Sequence, residues 1–500
     1  MASDQATLWM DACKVEHDAL VRNNVYEWAE LPVMVGNDKN NPLPCKWIFN
    51  IKRRADGTIE RYKACIVAGG HRQKEGIDFK ETFAPVANFV SLRTLLTIVA
   101  LENLETRQGD IVTAFLYGEL DEVVYMRPPA GLTPSEGQTY TDCTGNQQCL
   151  KGLKPLYWKL HRSLYGLRQS PRCFYKRLDA VVGQHGYTRI PADYGVWIAP
   201  GTVLMLVHVD DIQLFGTPAG IQQLSAVLEC AFMMKWLGEL GEHLYLGLHF
   251  IRDRQAKQIL VGQRQYASQI LQRFGMTTCD GCHIPMDPKE DWNIRQDDIY
   301  LSDDARRLYQ TAIGSLLYLM LGSRPDLAFA VTKLARYCSS PTERHWIGIK
   351  RVLRFIKATL NTYLVLGQRA ATSPAHTSLV CGFFDAAYMD DTTDRHSTMA
   401  YVFFVGNSVV SWSSKKQATL ALSTTEAEYL SGTEATKEAL WIKAFLTSVS
   451  IPSEQLTPIQ LMGDNAGANA LSRNPEYHSR TKHIHGRQRF ITEMVEAGYI

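Results

Sequence analysis

An apolar stretch interrupted by two adjacent aspartates constrains this chain more than any other feature. Residues Val203–Val207 are apolar, His208-Val209-Asp210-Asp211 follows, and Ile212–Phe215 is again largely apolar. This pattern predicts a strand, a tight turn and a second strand, with both carboxylates at the turn. Neighbouring carboxylates among apolar segments repel each other and lose hydration unless a cation neutralises them. The alternative is an ordinary solvated turn, because aspartate is a favoured turn residue.

A third carboxylate, Asp110, stands much earlier in the chain. It follows residues 90–105, whose apolar spacing predicts a helix, and it lies at the end of an apolar strand. Asp110, Asp210 and Asp211 together would suit Mg²⁺, which prefers carboxylate oxygens and bridges to phosphates. Two such ions about 3.5–4 Å apart can promote an in-line displacement at phosphorus. This hypothesis requires Asp110 to fold back beside the hairpin turn.

A second group of three carboxylates lies in the last part of the chain. Asp385 ends an apolar strand, Glu428 follows the predicted helix N-cap Ser423, and Asp464 ends another strand. Carboxylates at the element ends of one small domain could again hold two divalent cations, there to activate water against a phosphodiester. The alternative for Glu428 is a residue that stabilises the helix dipole.

A chain of 500 residues is too long for one core, which indicates two to four domains. A polar connector at 276–305 and a linker at 370–378 separate the blocks. The other predicted elements are a basic hairpin over 45–75 with its turn at Asp56-Gly57, a helix at 262–275, helices over 306–360 broken at Arg324-Pro325 and Pro341, strands at 379–385, 399–405 and 408–413, a helix at 424–447, a strand at 458–463 and a helix at 465–471. The last six elements are typical of a compact mixed α/β domain.

Two basic stretches accompany the first carboxylate group. Residues 46–74 hold eight Lys or Arg against two acids, and residues 151–177 hold eight and no acid, interleaved with aromatic residues. Cations of this kind give sequence-independent contacts to phosphates, and aromatic rings stack on bases. The formal net charge of +2 does not exclude a nucleic-acid binder, because a basic channel and acidic centres cancel in the total.

The cysteine count and the hydropathy pattern predict the kind of cellular compartment in which the protein occurs. Eleven scattered cysteines favour reduced thiols over a disulfide framework, hence an intracellular protein. Residues 1–25 carry four acidic side chains and do not have the pattern of a signal peptide. No apolar run approaches the roughly 18 residues that span a bilayer, so we expect no membrane partner.

Several segments, taken together, resemble the reverse transcriptase–RNase H region of a copia-type (pseudovirus) LTR retrotransposon polyprotein. Val209-Asp210-Asp211 is similar to the Tyr-x-Asp-Asp motif of reverse transcriptases, and Asp110–Leu116 resembles the motif that carries the other metal-binding aspartate. Segments similar to signatures of copia-type elements are Arg61–Ala64, Gly76–Val86, Ser163–Arg172 and Ser323–Asp326 and, for RNase H, Val409–Gln417, Ala421–Tyr429 and Ser479–Ile484. These landmarks run in order from about Trp9 to near the C-terminus.

The resemblance implies an α+β fold, in which a right-hand polymerase with fingers, palm and thumb is joined through a helical connection to a C-terminal RNase H-like α/β domain. The implied domains are residues 1–245 for the reverse transcriptase fingers and palm, 246–300 for a thumb-like segment and connector, 301–375 for the helical connection and 376–500 for the RNase H-like domain. The implied activities are RNA-directed DNA polymerisation by two-metal nucleotidyl transfer and RNase H cleavage of the RNA in RNA–DNA hybrids.

The same resemblance implies cofactors, partners and a location. Each active site would take two Mg²⁺ (or Mn²⁺) ions. The partners would be an RNA template, a DNA or tRNA primer, RNA–DNA hybrid, dNTPs and the integrase of the same polyprotein. The location would be cytoplasmic, in a virus-like particle, with the nucleus as the alternative.

The resemblance also assigns roles to individual residues. Lys63 would reach the triphosphate, Phe115 would lie under the incoming sugar and exclude a 2′-hydroxyl, and Gln169 would lie near the template–dNTP pair. The catalytic and metal-binding residues would be Asp110, Asp210, Asp211, Asp385, Glu428 and Asp464. The nucleic-acid-binding residues would be Lys46, Lys52, Arg61, Arg168 and Arg172.

Four positions depart from the family pattern: Cys65 stands in place of Arg, Gly69 in place of a basic residue, His208 in place of Tyr and His485 in place of Asp. A neutral thiol at residue 65 removes a charge-assisted bond worth roughly 1.5–3 kcal/mol, whereas His485, a candidate fourth RNase H position, can still ligate or shuttle protons. The alternative function is therefore a decayed or domesticated relic that binds nucleic acid without turnover. Glu426 stays an alternative to Glu428 as the nuclease ligand.

Overall fold

The computed structural model describes residues 5–32, 42–53, 58–152, 154–199, 203–287, 290–367, 378–452, 455–456, 458–473 and 485–500; for Arg53 and residues 485–489 it describes the backbone alone. The predicted turn at Asp56-Gly57, most of the linker at 370–378 and the segment Ser479–Ile484 lie outside these residues.

Helices and largely antiparallel sheets alternate along the described chain, as expected of an α+β protein. The helices are α1 Ala6–Arg22, α2 Phe89–Leu101, α3 Ser170–Gly183, α4 Pro218–Ala231, α5 Arg264–Arg273, α6 Asp303–Ser323, α7 Ala328–Ala335, α8 Glu343–Ala358, α9 Thr424–Ser448, α10 Ala466–Arg473 and α11 His485–Glu496. The strands are β1 Tyr26–Ala29, β2 Cys45–Arg53, β3 Ile59–Ala68, β4 Glu105–Ile111, β5 Glu119–Met126, β6 Thr139–Thr141, β7 Gln147–Cys149, β8 Tyr157–Arg162, β9 Thr188–Ile190, β10 Asp193–Ala199, β11 Val203–His208, β12 Asp211–Gly216, β13 Met234–Gly238, β14 His249–Asp253, β15 Gln258–Gly262, β16 Leu364–Leu366, β17 Val380–Ala387, β18 Thr398–Val405, β19 Ser408–Lys416 and β20 Gln460–Met462. Short 3₁₀ helices lie at Gly70–Arg72, Ala114–Tyr117 and Pro325–Leu327.

Most predicted elements are confirmed, with changes at their ends. The apolar hairpin is β11 and β12, the basic hairpin is β2 and β3, and helices α6 and α8 end and begin at the predicted breaks. The helix predicted over 90–105 ends at Leu101, because Asn103 adopts the left-handed conformation (φ 52°) and Glu105 already begins β4. The C-terminal order of three strands, a helix, a strand and a helix is also as predicted.

Two sheets position the candidate sites. The first has six strands in the order β13-β4-β12-β11-β10-β9, and the strands pair antiparallel throughout. The second has four strands in the order β19-β18-β17-β20, in which only β17 and β20 pair parallel. Helix α9 packs on β17 and β18 of this sheet, and α7 and α2 contact β19. The other described strands form the sheets β5-β8-β1-β6-β7, β14-β15-β16 and β2-β3.

A continuous apolar core joins these two sheets. It includes Leu96 of α2, Phe215 of the six-stranded sheet, Phe403 and Val410 of the four-stranded sheet, and Phe445 of α9, all less than 2% exposed. Burial of large apolar side chains contributes about 1.5–3 kcal/mol each. The N-terminal and C-terminal parts of the chain therefore share one core rather than meeting through a polar contact.

The buried side chain of Arg93 in α2 also connects the N-terminal and C-terminal parts of the chain. Its side chain donates hydrogen bonds to the carbonyl oxygens of Val410 (2.7 Å) and Leu321 (2.7 Å), and its guanidinium carbon lies 3.9 Å from the ring centre of Trp412. Burial lowers the pKa of Arg93 to about 9, partly offset by the negative charge of Glu438. A buried cation is retained here because backbone acceptors of two other elements meet at its position.

The described residues include no helix with the length and apolar character that a membrane crossing requires.

Candidate active sites

The turn between β11 and β12 carries the first carboxylate centre. In the antiparallel register of β4 and β12, Asp110 is the direct partner of Asp211. The backbone N–H of Ile111 donates to the carbonyl oxygen of Asp210 at 2.9 Å, so the end of β4 is fixed against the turn. Asp110 thus folds back beside the hairpin turn, and the three aspartates lie together at one end of the sheet.

Two β-branched residues with positive φ flank this centre. Val209 in the turn has φ 61°, and Thr113, two residues after β4, has φ 57°. The left-handed region is costly for β-branched residues, on the order of 1–3 kcal/mol each. Such strain is found most often where the backbone must present functional groups, here Asp210 and Phe115 on either side.

The electrostatics of the first centre are unfavourable without a cation. Burial, followed by the charges of Asp210 and Asp110, raises the pKa of Asp211 to about 7. Burial and Asp210 also raise the pKa of Asp110, while Lys235, Lys63 and Arg61 lower it in part. Three carboxylates in one place form an all-oxygen donor set, and burial and mutual repulsion disfavour the charged forms of Asp110 and Asp211. Divalent ions such as Mg²⁺ or Mn²⁺ fit such a site.

Lys235 was not singled out from the sequence. It is the direct partner of Asp110 on the opposite side, in the β13–β4 pair, so Asp110 lies between Asp211 and a cation. The one signal in the sequence is a lysine inside the apolar strand Met234–Gly238, where a charge calls for a partner.

The basic hairpin has one cationic and one aromatic face. Lys52 pairs with Arg61 and Asn50 with Lys63, and strand alternation places Lys46 on that same face. On the other face, Phe49 and Tyr62 pack edge-on against Trp9 of α1, with ring centres 5.2 and 4.7 Å apart. Helix α1 therefore supports the hairpin from behind and leaves its cations exposed or half-buried.

Cys65 lies on the cationic face of this hairpin, opposite Ile48. Burial and the nearby carboxylate of Glu16 raise its pKa, despite the opposing charges of Lys63, Lys52 and Arg61. The thiol is therefore neutral near pH 7 and supplies no charge where the family pattern has a guanidinium.

Phe115 follows the strained Thr113 in a 3₁₀ turn directly after the carboxylate strand. Its half-buried ring packs edge-on against Tyr165, with ring centres 5.0 Å apart. The hydroxyl of Ser163 donates to the carbonyl oxygen of Phe115 at 2.5 Å. The ring is thus held beside the first centre by two contacts from the segment 163–165.

Gln169 lies in the interior, 2% exposed, and both ends of its amide are engaged. Its oxygen accepts from the Gln73 side chain at 2.8 Å, and its nitrogen donates to the carbonyl oxygen of Asp78 at 2.9 Å. Arg168 beside it is exposed, and its side chain donates to the carbonyl oxygen of Gly70 at 3.1 Å. Gln169 therefore holds the loop after the basic hairpin, and Arg168 is the more accessible of the two.

Arg172 has two acidic partners. Its guanidinium contacts Glu81 at 2.9 Å and Asp121 at 2.8 Å, and its side chain is 18% exposed. Phosphate binding at Arg172 has to compete with these carboxylates, unlike binding at Lys46, Lys52 or Arg61, for which the structure gives no ion pair among the described residues.

The second carboxylate centre lies at the edge of the four-stranded sheet. Because β17 and β20 are parallel, with Phe383 opposite Met462, the carboxylates of Asp385 and Asp464 emerge two residues later at one edge. Glu428 of α9 reaches the same place, and oxygens of all three residues lie within 4.8 Å of one another. The donor set, three carboxylates, again fits a hard divalent cation.

Glu428 is the buried member of this centre, 6% exposed, whereas Asp385 and Asp464 are exposed. Burial and the charge of Asp385 raise the pKa of Glu428. Glu426 acts at the start of the helix instead, where its carboxylate accepts from the Leu422 backbone N–H at 2.7 Å and Ser423 caps the Glu426 N–H at 3.1 Å. The predicted N-cap is confirmed, and Glu428 rather than Glu426 joins the cluster.

A cavity of about 1330 Å³ opens beside the second centre. It lies between the open face of the four-stranded sheet and α7, and its lining includes Asp385, Asp464, Phe383, Trp412, Phe329 and Lys333. Lys333 is paired with Asp390 at 3.0 Å. The backbone of His485 begins α11, and its side chain lies outside the described residues.

Comparisons with known proteins show which family the sequence belongs to. A model of the family described as reverse transcriptase (RNA-dependent DNA polymerase) matches residues 23–288. The retrovirus-related Pol polyprotein from transposon TNT 1-94 of Nicotiana tabacum is 34% identical over 97% of this chain and 35% of the relative. The corresponding proteins from transposons RE1 and RE2 of Arabidopsis thaliana are 33% and 32% identical over 98% of this chain, and over 31% and 32% of their own lengths.

The chain thus spans about a third of the length of the curated relatives it matches. The family model covers both carboxylate-bearing strands of the first centre and the basic hairpin, and the relatives extend the similarity through the second centre. The chain therefore belongs to the reverse transcriptase (RNA-dependent DNA polymerase) family and is related to the Pol polyproteins of plant transposons.

Proposed function

We propose that this chain is an RNA-directed DNA polymerase of a copia-type retrotransposon that also cleaves the RNA strand of RNA–DNA hybrids. The observation that carries the polymerase part is the cross-strand pair of Asp110 and Asp211 beside the turn residue Asp210. The cluster of Asp385, Glu428 and Asp464 carries the nuclease part.

The carboxylates of each centre would hold two Mg²⁺ or Mn²⁺ ions. Bound there, the ions would activate the attacking oxygen, a primer 3′-hydroxyl in the first centre and water in the second, and offset charge on the phosphate. The chain's own contribution is positioning. Asp110 and Asp211 present their oxygens from paired strands, while Asp210 is held at the turn by its backbone bond to Ile111.

Binding of the incoming dNTP would depend on the basic hairpin and on Phe115. Lys63 and Arg61 act electrostatically on Asp110, which supports a place for them at the triphosphate. Phe115 would lie under the sugar and exclude a 2′-hydroxyl. Gln169 would act by holding the loop at Gln73 and Asp78.

Template and primer would run along the cationic faces without sequence recognition. Lys46, Lys52, Arg61 and Arg168 would contact phosphates, and Arg172 would do so by exchanging its carboxylate partners.

In domain terms, residues 1–245 would be fingers and palm, 246–300 thumb and connector, 301–375 connection and 376–500 RNase H. An RNA template, a DNA or tRNA primer and integrase would be partners, in a cytoplasmic virus-like particle or the nucleus.

Extension of oligo(dT) on poly(rA) tests the proposal directly. We expect folded wild-type protein to incorporate dTTP with Mg²⁺ or Mn²⁺ and to stop when EDTA is added. Protein that retards the hybrid in a gel shift but incorporates nothing with either metal would instead be the nucleic-acid-binding relic. The neutral Cys65 on the cationic face is the observation that favours this second candidate.

Phe115→Val is expected to admit ribonucleotides. Removing the ring leaves room for a 2′-hydroxyl, and steric discrimination of this size is worth about 1–3 kcal/mol, or roughly 10- to 200-fold. The measurement is single-nucleotide insertion of rUTP relative to dTTP on the same primer. Phe115→Tyr, which keeps the ring, is the matched control and should retain the discrimination. Equal rUTP/dTTP ratios in the Val variant and the wild type would refute the role of Phe115.

A further inference from the structure

We propose that Tyr245 and Gln213 are positioning residues that orient the carboxylate of Asp211 from behind the first centre. This inference rests on the proposed polymerase function and deepens it, because it assigns an outer shell to that centre. The resemblance to reverse transcriptases did not single out either residue, and neither one lines the open side of the site.

Strand register places a glutamine pair directly beneath the aspartate pair. Asp211 pairs with Asp110, and two residues further along the same two strands Gln213 pairs with Gln108. Side chains two residues apart lie on the same face of a strand. The face that bears the carboxylates therefore continues into two amide groups, which are buried with 0% and 1% exposure.

Tyr245 covers this face from a separate segment. The Gln108 side chain donates to the carbonyl oxygen of Leu244 at 3.1 Å, which holds the segment against β4. Tyr245 itself is fully buried and exchanges backbone hydrogen bonds with Leu248 at 3.1 and 2.9 Å. Tyr245 lies in the same buried core as Phe215, which shares a face of β12 with Asp211 and Gln213. Burial and the negative charge of Asp211 raise the pKa of Tyr245 far above its usual range.

Several polar atoms here are buried and have no hydrogen-bond partner among the described residues. They are the hydroxyl of Tyr245, both amide atoms of Gln213 and the side-chain oxygen of Gln108. Buried donors and acceptors in one place are rarely left unpaired. Rotation of a hydroxyl or an amide costs little, and the strongest acceptor nearby is an ionised Asp211.

The network closes if Tyr245 and Gln213 donate to the oxygen of Asp211 that faces the protein interior. The other oxygen is then directed toward the substrate side. Outer-shell hydrogen bonds of this kind orient metal-binding carboxylates, and their loss typically costs about 10- to 100-fold in metal affinity. A tyrosine that only fills the core would have no such effect, because phenylalanine fills the same volume.

The test measures Mn²⁺ binding by electron paramagnetic resonance, in full-length protein with Asp385→Asn to weaken the second centre. The first-centre site is identified as the Mn²⁺ site that is lost in Asp210→Asn. In the Asp385→Asn background, Tyr245→Phe is expected to lower the Mn²⁺ affinity of that site by about tenfold or more. Gln213→Met should act in the same direction. Thermal unfolding in EDTA should not be impaired by Tyr245→Phe, because the variant removes an unpaired buried hydroxyl.

Tyr309→Phe is the matched control, since Tyr309 is equally buried but donates to the carbonyl oxygen of Leu334 in the helical part. It should leave Mn²⁺ affinity unchanged. Unchanged affinity in Tyr245→Phe overturns this inference and leaves the proposed function standing. If the Asp385→Asn protein has no Mn²⁺ site that depends on Asp210, that result contradicts the proposed function, and the inference that rests on it is contradicted as well.

Discussion

Asp211→Asn is expected to abolish DNA synthesis and, in EDTA at pH 8, to raise the melting temperature of the protein. Bound metal ions stabilise charge in the transition state by several kcal/mol. Each 1.36 kcal/mol of activation free energy changes the rate tenfold, so the activity should fall about a thousandfold or more. The opposite effect on stability follows from the site itself, because Asp211 is partly buried beside two other carboxylates and its pKa is about 7. Removing one charge from such a group relieves repulsion that only a bound cation otherwise relieves.

The size of the stability gain can be bounded. Moving the pKa of Asp211 from 3.8 to about 7 corresponds to roughly 4 kcal/mol at 1.36 kcal/mol per unit. Because Asp211 is only half-buried, solvent screening reduces this to about 1–2 kcal/mol. We expect a rise of a few degrees in melting temperature. Asp297→Asn, at an exposed aspartate outside the site, is the matched control and should change neither activity nor stability.

The pH dependence of stability in the metal-free protein tests whether the charge of Asp211 is destabilising. The folded protein keeps the Asp211 proton up to about pH 7, whereas the unfolded chain releases it near 3.8. The unfolded state thus binds fewer protons between these values, and this contribution to the free energy of unfolding falls as pH rises from about 4 to 7. Melting temperatures in EDTA at pH 5.5 and 8 should differ more in the wild type than in Asp211→Asn. An equal pH dependence in the two proteins would contradict the electrostatic account.

Local pattern was sufficient to predict the parts of the first site that lie within one hairpin or one strand. Apolar segments on both sides of the two aspartates identified β11 and β12, and apolar spacing identified α2 before Asp110. What the pattern could not give is which strands become neighbours. The pairing of Asp110 with Asp211 required the resemblance, and the place of Lys235 opposite Asp110 followed only from the register of β13.

Long-range packing explains what sequence reasoning missed. Arg93 would be expected to be exposed on its helix, yet it is buried between α6 and β19. The local sequence does not reveal this, because the hydrogen-bond partners of Arg93 are more than two hundred residues away along the chain. Arg172 reads as a free cation in a basic stretch, but its two acids come from other segments. Gln169 is predicted to lie near the template–dNTP pair, and nothing in its local sequence indicated that its amide would bond to Gln73 and Asp78. In each case the side chain's partner, not its own type, decides what it does.

Asp385→Asn is expected to eliminate RNA cleavage in an RNA–DNA hybrid while DNA synthesis continues. The two centres lie in different sheets, so loss of a ligand in one should leave the chemistry of the other intact. The expected loss of cleavage is again about a thousandfold, because the remaining Glu428 and Asp464 cannot complete the donor set. The measurement is release of labelled RNA fragments, with primer extension run on the same preparation. Cleavage that survives the substitution would remove the second centre from the proposal.

Glu426 and Glu428 provide a matched pair within the same helix, and they decide which glutamate serves the nuclease. Glu428→Gln should abolish cleavage, because its carboxylate lies within 4.8 Å of Asp385 and Asp464. Glu426→Gln should keep cleavage near the wild-type rate and lower stability by about 1 kcal/mol, since it weakens the hydrogen bond that this carboxylate accepts at the helix start. The reverse result would mean that the helix rotates when nucleic acid binds. Because the two residues differ by two positions, and so by more than half a turn of helix, one substitution cannot imitate the other.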